Sequence, residues 1–528
     1  MLFRLGIFAT ALSALSLAAS HAPAAEPSSS WTGSYLGGVV GSRSVGSSGA
    51  VKSVTDNGAD IMAFSCAGFG GCAGQQFDST GFKGGVYGGY NWQVAPRWVL
   101  GLEADWMWGG QTATLRSAAF PSTGPTFSLG FARDTFRVKA EWDASVRGRV
   151  GFLVTPSIMA FATGGATFMS VEMTSQCGAP GGGPCAFSLA PTTATVSDSV
   201  IGWTVGGGVE AMITPNWSLR GEYRYADYGT NNYSVTRAGG GTTRVVGYDL
   251  DFKTHSALFG LAYAFGGRKA PTDHPTSVVA AHHWSGFYLG GAVGARSAQA
   301  KGNVTAVTNS NFNSFCDTLA PFGGCRGQQL DSTGAKGGIY AGYNWHAAPR
   351  WVLGVEADWM WADHEAVLSG HIFPSTVNSF ALTAVGGDSF TLKTQWDASL
   401  RGRVGHLVTP SVLVFATAGV SWMSIKTSSV CTAVTASCSA IATLTPLTAS
   451  VSDIVVGWTV GGGVEAMIAP DWLVRAEYRY ADYGTSDYSI TRTNASTQRV
   501  TTYDIDLKTH TALLGIAYKF GGKASATP

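Results

Sequence analysis

Two histidines hold matching places near the ends of the two halves of this chain. His255 is followed by Ser256 and comes shortly after Asp251, and these residue types could form a hydrolytic nucleophile with its base. The corresponding His510 is followed by Thr511. A nucleophile must lie within hydrogen-bond reach of its base, whereas adjacent residues on a strand point to opposite faces. The pattern therefore argues against an enzyme if these residues lie on a strand.

A larger set of charged residues alternates with apolar ones, and such charges could pair with each other or line a path for ions. In residues 142–150, WDASVRGRV, one face carries Asp143, Arg147 and Arg149, and the opposite face carries Trp142 and small or apolar residues. Residues 217–225 alternate in the same way. Alternation with a period of two indicates β-strands with one polar and one apolar face.

Eight strands are predicted in the first half of the chain. They are longer than the usual five or six residues, at about 10–15 each. A soluble sandwich would also alternate, but here the polar faces hold arginine and glutamate in mid-strand, and aromatic residues lie near the ends of the apolar faces. The predicted strands are roughly 32–45, 82–93, 97–109, 139–153, 157–171, 200–213, 217–232 and 250–265.

The connections between these strands alternate in length. After strands two, four and six the chain turns at once, at Pro96, Pro156 and Pro215, whereas strands one, three, five and seven precede long loops rich in Gly, Ser, Thr and Pro. Short turns on one side and long loops on the other are typical of membrane-spanning barrels, whose short turns are periplasmic and whose interior is polar. We therefore predict an all-β antiparallel transmembrane barrel.

The polar faces of such a barrel predict a network of charges in its lumen. Acids and arginines nearly balance, and an eight-stranded barrel has an interior that side chains just fill. A plug of ion pairs is the expected result, and a gated path for ions or protons is the alternative. The predicted network comprises Glu103, Asp105, Asp143, Arg147, Arg149, Glu210, Arg220, Glu222 and Arg224 in the first half, and Glu356, Asp397, Arg401, Arg403, Glu465, Arg475 and Arg479 in the second.

The eighth strand contains one conflict with this assignment. Phe259, Leu261, Tyr263 and Phe265 would face lipid, and the same parity places Asp251, Lys253 and His255 on that face. Either these residues lie above the hydrocarbon, or a bulge changes the parity.

The whole pattern occurs twice. Residues 78–108 and 331–361 are identical at 25 of 31 positions, at an offset of 253. A period this long indicates a duplicated domain rather than a solenoid. We predict a signal peptide at 1–24, a first barrel at 31–267, a linker at 268–283, a second barrel at 284–522 and a tail at 523–528. One merged barrel of sixteen strands with a water-filled lumen is the alternative.

Composition and cysteines are consistent with export. The N-terminus has Arg4, an apolar stretch and a small-residue cleavage signal at Ala22-Pro23-Ala24, and no later stretch is long and apolar enough for a membrane helix. The formal net charge of +1 gives no sign of a nucleic-acid partner.

Eight cysteines fall in close pairs, which predicts local disulfides rather than zinc sites. The predicted pairs are Cys66 with Cys72, Cys177 with Cys185, Cys316 with Cys325, and Cys431 with Cys438.

Several motifs resemble one family. WTGSYLGG at 31–38, GYNWQ at 89–93, the segment 142–168 and GLAYAF at 260–265 are similar to the small eight-stranded outer-membrane β-barrels known as outer-membrane immunogenic or surface-antigen proteins, which share the fold of the OmpA transmembrane domain. The resemblance covers each copy from end to end. By that resemblance, Gly515, Tyr518 and Phe520 would form the signal that the barrel-assembly machinery reads, although Gly521 to Pro528 follow it.

The resemblance implies a non-enzymatic protein of the Gram-negative outer membrane, with a structural and surface-display role. Some eight-stranded barrels hydrolyse lipid A with His and Ser on the outer wall, but the His255 pattern lacks that geometry. Expected partners are outer-membrane lipid, lipopolysaccharide and the assembly machinery, with no cofactor. An adhesin acting through its long loops, with an unknown extracellular ligand, is a further alternative.

Overall fold

The structure is a computed structural model, and it describes residues 30–61, 74–116, 120, 135–177, 192–239, 241–266, 283–307, 327–369, 374, 389–431, 447–493 and 498–520. The regular elements of this described part are β-strands. In the same residues, no helix has the length and apolar character needed to cross a membrane. The predicted signal peptide, most of the linker and the C-terminal tail lie outside the described residues.

Each half of the chain contains eight long strands. Those of the first half are β1 Gly33–Asp56, β2 Gln75–Ala95, β3 Trp98–Arg116, β4 Thr135–Thr155, β5 Ile158–Cys177, β6 Thr192–Met212, β7 Trp217–Gly239 and β8 Thr242–Ala264. Those of the second half are β9 Gly286–Val307, β10 Ser332–Ala348, β11 Trp351–Ser369, β12 Ser389–Thr409, β13 Val412–Cys431, β14 Leu447–Ala469, β15 Trp472–Thr493 and β16 Gln498–Lys519. Two short strands, Ala59–Asp60 and Gln328–Gln329, pair with β1 and β9.

Each set of eight strands closes into its own barrel. Neighbouring strands pair antiparallel in chain order, and β1 also pairs with β8, from Tyr35 opposite Ala264 upward. The second barrel closes in the same way, with Tyr288 opposite Lys519. Closure satisfies the edge groups of both sheets. The prediction of two eight-stranded barrels is confirmed, and the merged barrel of sixteen strands is not what the chain forms.

An apolar band surrounds the first barrel. Aromatic side chains mark its two edges, with Trp98 and Tyr263 exposed near the short turns and Phe82 and Trp108 exposed further up. From Trp98 to Trp108 the strand rises roughly 33 Å, and a tilt of about 40° reduces this to a height of about 25 Å, the apolar height of an outer-membrane barrel. The large apolar residues between these edges include Leu36, Val40, Val86, Leu100, Leu102, Val146 and Val150.

The strands run well beyond this band on the side of the long loops. The seventh strand was predicted to end near residue 232, but it reaches Gly239 and pairs there with Thr242. The prediction of a long loop after strand seven is therefore wrong for the first barrel. Tyr233 and Val235 point inward on β7 and pack with Tyr248 of β8, so these residues extend the hairpin instead of forming a loop.

β-bulges explain why the alternation is hard to follow above the band. On β4, Asp143 and Arg147 point inward below an irregularity between Ala140 and Asp143, whereas Phe136 and Val138 point inward above it. One extra residue exchanges the two faces of the strand. Similar register shifts occur between Asp227 and Thr230 on β7 and at matching places in the second barrel.

Because each barrel closes on itself, the second barrel should fold alone. We expect residues 283–520, refolded in detergent, to migrate differently on gels with and without boiling, as closed outer-membrane barrels do. If this segment stays unfolded under conditions that fold the whole chain, the two barrels are not independent folding units.

Candidate functional site

The centre of each lumen is filled by a layer of ion pairs. In the first barrel Arg147 lies at the middle of this layer, and its guanidinium binds the carboxylates of Glu103 and Glu222 and, at 2.9 Å, that of Asp105. Arg147 and Glu103 are only 1% and 2% exposed. One arginine thus connects strands β3, β4 and β7 across the interior.

Two further arginines complete the lower part of this layer. Arg220 binds Glu103 through both of its terminal nitrogens, and its guanidinium lies 4.1 Å from the centre of the Tyr87 ring. Arg149 binds Glu210 and stacks on Phe161 at 4.1 Å. The hydroxyl of Tyr35 donates to Glu103 at 2.8 Å. Buried charges are stable only with such partners.

The upper part of the layer contains two cations that the sequence analysis missed. Arg43 and Lys83 bind the two oxygens of Asp143, at 2.5 and 2.7 Å. Arg43 also donates to the side chain of Gln111 at 2.7 Å. The parity of β1 and β2 had not been assigned, so these inward residues were overlooked. Their repetition as Arg296 and Lys336 at the same offset of 253 was the available signal.

The second barrel repeats these ion pairs at the equivalent positions. Arg401 binds Glu356 and Glu477, and it lies 2.9 Å from Asp358. The remaining pairs link Arg403 with Glu465 at 3.0 Å, Arg475 with Glu356 and Glu477, Arg479 with Asp358 and Glu477, and Arg296 and Lys336 with Asp397. The structure therefore brings together, in each barrel, the charged residues that the alternation had grouped on one face.

Apolar clusters close the lumen on both sides of the ionic layer. On the side of the short turns lie Trp31, Val99, Leu153, Met159 and Met212, and the Trp31 indole donates to the backbone oxygen of Pro156 at 3.0 Å. On the side of the long loops the interior resembles the core of a soluble protein. It includes Val45, Phe77, Leu115, Phe136, Val138, Met173, Val235, Tyr248, Leu250 and Phe252. These two clusters lie between the ion pairs and the two ends of the barrel.

The histidine pattern does not form a hydrolytic site. His255 lies on the outer wall, where its Nδ1 is 2.7 Å from the Tyr223 hydroxyl. Ser256 points into the lumen, 3.4 Å from the Lys83 amine, and Asp251 pairs with Lys253 at 3.0 Å. The three residues are therefore not aligned as nucleophile, base and orienting acid. In the second barrel, His510 repeats the contact with the Tyr478 hydroxyl at 2.7 Å.

The conflict on the eighth strand is resolved without a bulge. Residues 244 to 264 of β8 keep one parity, with even positions inward and odd positions outward. Asp251 and Lys253 lie above the apolar band, as one of the two alternatives had it. His255 faces the second barrel and lines a small cavity together with His510.

The cysteines and the terminal motif are only partly described. Cys177, at the end of β5, is in a disulfide. Cys431 ends β13. Cys66, Cys72, Cys185, Cys316, Cys325 and Cys438 lie outside the described residues, so the predicted pairing stays a prediction. Tyr518 and Phe520 are 37% and 45% exposed on the outer wall of β16, and Gly515 leaves room for the ring of Tyr340.

Comparison with known proteins gives a family and several relatives. A family model described as an outer membrane protein beta-barrel domain matches the chain twice, over residues 10–265 and 275–520. The 31 kDa outer-membrane immunogenic protein of Brucella melitensis is 35% identical over 156 residues, which are 29% of this chain and 56% of that protein. The 22 kDa outer membrane protein of Rhizobium leguminosarum is 30% identical over 217 residues, 41% of this chain and 73% of that protein.

The coverage of these matches limits what they carry. The chain spans about half the length, 56%, of the first of these relatives. Among solved structures, a Pseudomonas aeruginosa FadL homologue aligns with 93% of this chain and 91% of its own, at 10% identity and a TM-score of 0.25, which is too low to support an argument. The double match of the family model nevertheless covers nearly the whole chain. The chain thus belongs to the outer membrane protein β-barrel family, carries its barrel twice, and lies in the outer membrane of a Gram-negative cell.

Proposed function

We propose that this protein is a non-enzymatic component of the outer membrane, with a structural and surface-display role and with two closed lumens. The observation that carries the proposal is the ionic layer of each barrel, in which every acid binds at least one arginine or lysine and all members are buried. The interior of an eight-stranded barrel is just wide enough for side chains to fill. Apolar clusters above and below this layer support the same conclusion.

The absence of catalysis belongs to this proposal. His255 and Ser256 point to opposite faces of β8, and Thr511 replaces the serine in the second barrel. Outer-membrane lipid and lipopolysaccharide would contact the apolar band and its aromatic edges. The barrel-assembly machinery would bind the last strand through Tyr518 and Phe520. The long loops would be displayed outside, and their ligand is not identified.

Conductance across planar lipid bilayers tests the proposal. The refolded protein should insert and give no steady single-channel steps, because water has no continuous path past the ionic layer. A general diffusion porin in the same bilayers serves as the positive control, and gel migration with and without boiling shows that the sample is folded. Steady, porin-sized steps from folded protein would contradict the closed lumens and favour a transport role.

A further inference from the structure

One strip of the outer wall of each barrel differs from the rest of the apolar band. On β1, the outward residues Leu36 and Val40 are 54% and 52% exposed, as expected for side chains that face lipid. Four residues after Val40, the side chain of Ser44 also points outward, but it is only 5% exposed. Ala257 on β8 and Ala476 on β15 also point outward, and each is 6% exposed. These positions are covered by the other barrel.

Polar side chains connect the two barrels at the upper edge of the band. The hydroxyls of Ser44 and Thr333 lie 2.5 Å apart, and those of Thr80 and Ser297 are also hydrogen-bonded. The side chain of Gln299 donates to the backbone oxygen of Thr80 at 2.9 Å. A hydroxyl that faced hydrocarbon alone would have no such partner, and an unsatisfied polar group is costly in lipid.

The two hydroxyl contacts between the barrels are reciprocal. Ser44 and Ser297 are equivalent positions of the repeat, and so are Thr80 and Thr333, so each contact occurs twice with its partners exchanged. Such reciprocity is the property of a contact between two copies related by a two-fold axis.

Small residues allow the two walls to come close lower in the band. Gly221 and Ala476 are also equivalent positions, and a Cβ added to Gly221 would lie 2.4 Å from that of Ala476. Towards the short turns, Ile158 and Ala211 of the first barrel form a buried cluster with their own equivalents, Val412 and Ala466. Within membranes, small residues favour association because they let two surfaces pack closely, and hydrogen bonds add to it.

We propose that these outward residues form a built interface that holds the two barrels side by side in the membrane as an internal pair. We call it the seam and define it by Ser44, Thr80, Gly221, Ile158 and Ala211 with their equivalents Ser297, Thr333, Ala476, Val412 and Ala466. Its occupant is the second copy within the same chain. His255 and His510 line a small cavity between the barrels within the seam. The proposal does not depend on the proposed function.

Disulfide cross-linking in the full-length chain tests the seam. The variant combines Ser44→Cys and Thr333→Cys with a protease site inserted within residues 268–283, and the linker is cut after folding in lipid. On non-reducing gels the two halves should stay joined, and reduction should separate them. The matched control pairs Val205→Cys, which is 47% exposed on the outer wall, with Thr333→Cys, and its halves should separate. Single-cysteine variants reveal any exchange with the native cysteines.

Two outcomes would overturn the seam. If Ser44→Cys and Thr333→Cys do not join the halves while both react readily with a lipid-soluble thiol reagent, these walls face lipid. If they join two separate chains before the linker is cut, the surface binds another molecule instead of the second copy.

A second variant tests the packing without relying on cysteine chemistry. After the linker is cut in mild detergent, the wild-type halves should co-elute, whereas those of Gly221→Leu should separate, each still folded by its migration on gels. Gly148→Leu is the matched control, since Gly148 points outward and an added Cβ there would meet only a backbone oxygen at 3.8 Å. Co-elution of the Gly221→Leu halves, or equal separation of both variants, would contradict the seam.

Discussion

Replacing Glu103 with alanine should strongly destabilise the first barrel. The Glu103 carboxylate accepts hydrogen bonds from Arg147 and Arg220, and a further one from the hydroxyl of Tyr35. Its removal takes one carboxylate partner from each of two buried guanidinium groups, those of Arg147 and Arg220. Breaking a buried ion pair from one side costs about 3–5 kcal/mol, and two affected arginines favour the upper end of that range.

The measurement is the urea midpoint of unfolding, followed by gel migration of the folded band in lipid vesicles. The matched control is Glu141→Ala, because Glu141 pairs with Lys139 at 2.8 Å with both side chains 40% exposed. Exposed pairs contribute at most about 1 kcal/mol, so the control should hardly move the midpoint. Equal effects of the two substitutions would mean that water reaches the lumen.

Replacing Gly41 with valine should prevent the first barrel from closing properly. Gly41 lies on β1 between Lys83 of β2 and Leu258 of β8, and an added Cβ would come within 1.8 Å of the backbone oxygen of Ala257. A backbone atom cannot rotate away, so β1 would have to separate from β8 and lose closing hydrogen bonds. Overpacking alone costs about 1–3 kcal/mol, and the lost hydrogen bonds add to it.

The folded fraction after refolding, read from the gel, measures this effect. Gly38→Val on the same strand is the matched control, because Gly38 points outward and a Cβ there has no atom within 4 Å. The equivalent Gly294→Val should act on the second barrel, where the clash is with the backbone oxygen of Ala512 at 1.8 Å. Normal refolding of Gly41→Val would show that the strands at the closure can shift at little cost.

Much of the fold could be predicted because each strand of a membrane barrel has one face towards lipid and one face towards the lumen. Lipid outside and paired charges inside make the alternation strict within the band, so Trp142 and Arg147 could be assigned to opposite faces from sequence. The short turns at Pro96 and Pro156 gave the direction of the strands. The exact repeat of the pattern then indicated two barrels.

The part of the barrel above the band could not be predicted in the same way. The interior there no longer holds paired charges, and the outer surface no longer faces lipid. The interior becomes apolar, with Phe136 and Val138 pointing inward, and the outer surface becomes polar, as Lys52 and Asp249 show with their ion pair at 3.3 Å. A bulge near residue 141 changes the parity at the same height, so the alternation in the sequence is interrupted although the strand continues. Distances between side chains, such as those from Asp143 to Arg43 and Lys83, depend on closure and are not local properties of the sequence.

The extension of β7 and β8 forms a stalk above the apolar band. From Asp227, near the upper edge of the band, β7 continues for about twelve residues to Gly239, which corresponds to roughly 40 Å along the strand and about 30 Å of height at the usual tilt. The stalk has its own apolar core, so its stability does not depend on the lipid around the band. Whatever meets the turn at its tip does so well away from the bilayer surface. Under the proposed surface-display role, changes in the tip would alter what the cell presents to its surroundings and leave the membrane-spanning part as it is.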